Sequence, residues 1–65
     1  MYYARVVFEK DTSTCERHDD MSAARRWIEE EREAKPELFR LGQIFEAAPE
    51  LEVVATCSAE GWRSS

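Results

Sequence analysis

Sixty-five residues make one small domain. A chain of this length buries only about 60% of its unfolded surface and is marginally stable without a staple or a partner. A hydrophobic share of 43% beside a charged share of 35% belongs to a globular chain, and a net charge of −5 argues against nucleic acid and anionic membranes as partners.

Tyr2 to Glu9 reads as a first strand, rich in aromatic and β-branched residues. Alternation places Tyr2, Ala4, Val6 and Phe8 on one face and Tyr3, Arg5, Val7 and Glu9 on the other. The purely apolar set should face a helix. Lys10-Asp11 would serve as a two-residue turn, after which Thr12 to Arg17 returns as a second, polar strand or remains a loop. In the hairpin register Val6 opposes Cys15, which turns Cys15 inward.

The next element is a helix over Met21 to Ala34 with Asp20 or Asp19 as its N-cap. Met21, Ala24, Trp27 and Ile28 form its apolar stripe, and Glu31 interrupts it in the third turn. Pro36 ends the helix, because it has no N–H and pushes Lys35 out of helical conformation.

Phe39 to Glu46 and Leu51 to Ser58 read as a hairpin around Ala47-Ala48-Pro49-Glu50. Setting Phe45 opposite Leu51 gathers Phe39, Leu41, Phe45, Leu51, Val53, Ala55 and Cys57 on the helix side, with Gln43 as the exception. That register leaves Arg40, Gly42, Ile44, Glu46, Glu52, Val54, Thr56 and Ser58 on the other face. Residues 61–65 are expected as a loose tail after a single α+β domain over 1–60, with Trp62 able to fold back. The expected fold is therefore an antiparallel sheet of three or four strands with one helix on one face, in the order β(β)αββ.

One short stripe covers one sheet face only. The other face becomes the candidate partner surface, made of Tyr3, Arg5, Val7, Arg40, Ile44 and Val54. The reading that follows is a non-enzymatic, self-associating module, most simply a two-fold homodimer. The alternative is an accessory protein of phage or mobile-element type that holds a basic protein partner on Glu29, Glu30 and Glu33 of the helix. A third reading takes Cys15-x-x-His18 as a metal or catalytic pair. It lacks the four paired ligands of a structural zinc site, and a nucleophilic Cys needs an oriented base and an oxyanion site. No metal, cofactor or catalytic residue is expected. Neither a basic segment leading into an apolar stretch at the start nor a membrane-length apolar run is present, so a cytoplasmic location with reduced thiols is expected.

Overall fold

The computed structural model describes residues 1–64, excepting the side chain of Asp11. Its elements are β1 (Tyr2–Phe8), a short 3-10 turn (Glu9–Asp11), β2 (Ser13–His18), α1 (Met21–Ala34), β3 (Phe39–Glu46), β4 (Glu52–Ser58) and β5 (Gly61–Ser64). The fold is α+β, with one antiparallel sheet in the order β2-β1-β3-β4-β5 and one helix. The sheet has five strands rather than three or four, and the element order is ββαβββ. Thr12–Arg17 does return as a strand, shifted by one residue.

Local chemistry sets the helix ends. The Asp20 carboxylate accepts from the Ala23 backbone N–H at 2.7 Å, and the Lys35 N–H closes the last turn on the Glu31 carbonyl at 3.2 Å. The helix packs on β1, β2 and β3. Ala24 and Ile28 are its fully buried residues, while Met21 and Trp27 pack on the core more peripherally.

Gly42 decides which face of β3 meets the helix. A Cβ on Gly42 would stand 2.5 Å from Cγ2 of Ile28 and 3.5 Å from Phe39. Only glycine lets the helix come this close, and the buried Ile28 fills the space that a side chain would take. With Gly42 under the helix, the period of two brings Ile44 under it as well. Across β4, Gly42 pairs with Cys57 and Ile44 with Ala55, and all three side chains there are buried.

The hairpin register expected from the pattern is therefore wrong: Phe45 pairs with Val53 rather than Leu51, and beyond a bulge Gln43 pairs with Thr56. Ile44 is fully buried in the core rather than on the open face. Leu41, Phe45 and Val53 occupy the helix-free face, since Val7 pairs with Leu41, Tyr3 with Phe45 and Phe45 with Val53. Leu51 lies before the strand and is 64% exposed. Val54 is the extra residue where the β3–β4 register shifts, and it packs against the core instead of joining the open face.

Cys15 is corrected in the same way. The β1–β2 connection is a 3-10 turn with Lys10 at φ 66°, closed by the Phe8 N–H donating to the Thr12 carbonyl at 2.7 Å. The change of turn moves the pairing so that Arg5, not Val6, opposes Cys15. A one-residue slip exchanges faces, so Cys15 points to the helix-free side and is exposed.

Gly61–Ser64, expected as a loose tail, pairs with β4 as an edge strand. Trp62 opposite Cys57 explains why. Its ring packs on the core, Arg25 lies over it at 4.7 Å, and its indole N–H donates to Glu29 at 3.2 Å. Trp62→Ala is expected to lower stability by about 2–3 kcal/mol in urea denaturation through lost packing and cation–π attraction. An unchanged midpoint would mean that β5 does not belong to the cooperative unit.

Candidate functional site on the helix-free sheet face

The pairing register lays out the uncovered face in rows that run across the strands. At one end Arg17, Tyr3, Phe45 and Val53 stand side by side. The middle row is Cys15, Arg5, Gln43, Thr56 and Arg63. Ser13, Val7 and Leu41 make the row at the other end. Two apolar bands thus flank a polar band that crosses the whole sheet. Tyr3, Val7, Leu41, Phe45 and Val53 are half-buried by their neighbours within the sheet, whereas Arg5, Arg17 and Arg63 are exposed.

Charge is partitioned between the faces. The strands contain three carboxylates, Glu16, Glu46 and Glu52. Glu16 pairs with Ala4, Glu46 with Tyr2 and Glu52 with Glu46, so all three lie on the helix side. Among the described residues no strand position on the helix-free face carries an acid, and three carry arginine. A chain of net charge −5 therefore presents a basic sheet face, a feature that total charge hides.

Of the six residues expected on this face, Tyr3, Arg5 and Val7 are there. Ile44 and Val54 belong to the other side, as described. Arg40 is the extra residue where β3 shifts register against β1, and its guanidinium pairs with Glu9 at 3.0 Å. Sequence reading missed Arg17, Leu41, Gln43, Phe45, Val53 and Arg63. Gly42 was the available signal, because an isolated glycine inside a strand marks close backbone approach.

The helix carboxylates Glu29, Glu30 and Glu33 are exposed, and Glu29 is engaged with Trp62. Cys15 and His18 are three apart in a strand, which puts them on opposite faces. His18 lies on the helix side with its ring centroid 5.8 Å from that of Trp27. Its Nε2 is 3.3 Å from a Glu16 carboxylate oxygen but not aligned for a hydrogen bond. Among the described residues no group of three or more His, Cys, Asp or Glu side chains is placed to hold a metal ion.

Cys57 is buried, and burial pushes its thiol pKa up, partly opposed by the neighbouring Arg32, whose guanidinium N–H points to Sγ at 3.8 Å. Such a thiol forms less thiolate and packs as a small hydrophobe. Among the described residues no helix is long and apolar enough to cross a membrane. No family model, curated protein or solved structure matches this chain significantly.

Proposed function

We propose that this protein is a non-enzymatic interaction module that works through its helix-free sheet face. The observation that carries the reading is the position of Tyr3, Val7, Leu41, Phe45 and Val53 together on three adjacent strands with helix α1 on the opposite side. A small domain with one helix has little else to cover such a face, and binding stabilises the folded chain by mass action. We place the protein in the reducing cytoplasm, where Cys15 and Cys57 remain thiols.

A second copy of the chain is one occupant. Face-to-face pairing about a two-fold axis would gather Arg5, Arg17 and Arg63 of both copies in one interface, and like charges there cost affinity. The second reading is a basic protein partner on the exposed Glu29, Glu30 and Glu33. Site-specific photo-crosslinking in expressing cells separates these readings. A benzophenone amino acid at Phe45 should give a discrete adduct, and the same group at Glu30 should give none. A Phe45 adduct of twice the chain mass identifies the homodimer. Adducts from position 30 alone would reject the sheet face in favour of the acidic helix.

A further inference from the structure

We propose that the occupant of this face is single-stranded nucleic acid, an assignment that rests on the sheet face being the working surface. The argument is charge complementarity combined with ring chemistry. A single strand offers a line of phosphates and unpaired bases with exposed π-faces. Protein surfaces that hold it combine cationic side chains with aromatic rings on which the bases stack.

Both components are present in one place here. Tyr3 and Phe45 are directly opposed on neighbouring strands, so their rings are adjacent on the surface. Arg17 flanks Tyr3 on the β2 side, and Arg5 follows it along β1. Arg63 stands on β5, three strands from Arg5, or about 14 Å at the usual strand spacing. Gln43 and Thr56 lie between these two arginines in the middle row, with an amide and a hydroxyl suited to base edges. A strand laid across the sheet would meet Arg17 beside the two rings in one row, and Arg5 and Arg63 on either side of Gln43 and Thr56 in the next.

The overall acidity does not oppose this. The helix carboxylates stand on the far side of the sheet. The Debye length at physiological salt is about 8 Å, so salt weakens their field at the arginines. The same acids disfavour wrapping of a duplex around the whole protein. An acidic peptide would satisfy the arginines, but would leave the adjacent rings and the central amide without a specific role.

The experiment is fluorescence anisotropy of labelled ten-nucleotide rU and dT oligomers titrated with the intact protein, in 50 to 200 mM salt. Micromolar binding is expected, with log Kd rising against log salt at a slope of about 2 for three phosphate contacts. Over that range the affinity should fall about 15-fold. Phe45→Ser or Tyr3→Ser should weaken binding tenfold or more. A triple change of Arg5, Arg17 and Arg63 to Gln should remove most of the salt dependence, while Arg26→Gln on the helix should leave it unchanged. Tighter binding of rU than of dT would mark RNA as the source, and the reverse would mark DNA.

Absence of binding at 50 mM salt with the folded protein would overturn the proposal. So would affinity that is insensitive to Tyr3 and Phe45, or a glutamate-rich peptide that competes with equal strength. A protein adduct from the Phe45 crosslinker together with no oligonucleotide binding would leave the sheet face as the working surface and reject only the nucleic acid.

Discussion

Replacing Ile28 by Ala is expected to cost about 2–5 kcal/mol, the range for deleting a buried branched side chain that leaves a cavity. A core of this size supplies no more than about 3–5 kcal/mol of net stability. The variant should therefore be largely unfolded at 25 °C, with the helical signal lost in far-ultraviolet circular dichroism. The cavity would open against Gly42, where a Cβ meets Ile28 at 2.5 Å. That geometry gives the prediction a second part. Gly42→Ala alone overpacks the contact and should destabilise by about 1–3 kcal/mol. In the Ile28→Ala background the added methyl enters the vacated space, so the double variant should be more stable than the sum of the singles implies. A coupling of about 1 kcal/mol or more in this cycle, measured in a stabilising osmolyte that keeps Ile28→Ala folded, would locate the contact, whereas simple additivity would separate the two residues.

The helix was legible in the chain because three local signals agree: the stripe from Met21 to Ile28, the Asp20 cap and the Pro36 stop. The bounds of β3 were legible for a similar reason, since Phe39 to Glu46 is a continuous run between a proline-containing connection and a turn. What the pattern could not deliver was the parity of β3. Counting hydrophobic side chains favours the wrong parity, because strict alternation sets Phe39, Leu41 and Phe45 on one face against Ile44 alone on the other. Tertiary contact overrides that count, because the helix approaches closely only where the strand has no side chain.

Cys15 changed face for a different reason. The turn after Phe8 takes a 3-10 form in place of the two-residue loop, and turn form sets register. Trp62 was the one large apolar residue in the last five, and the strand it anchors is too short for alternation to reveal it. These corrections act together on the candidate site. They remove Ile44 and Val54 and bring in Phe45, Leu41, Val53 and Arg63. The uncovered face thereby becomes larger, aromatic and basic.

The proposals for this face rest on Phe45 pointing away from the helix and Ile44 pointing toward it. Threonine at each position in turn tests this with one residue type suited to strands. The most direct measurement is the urea denaturation midpoint of Ile44→Thr beside that of Phe45→Thr. Ile44 is fully buried, so Ile44→Thr loses packing and buries a hydroxyl, at an expected cost of about 2–4 kcal/mol. Phe45→Thr, on the helix-free face, should cost about 1 kcal/mol or less. A fold that tolerates Ile44→Thr and collapses on Phe45→Thr would contradict the assignment of faces, and the proposed binding surface with it.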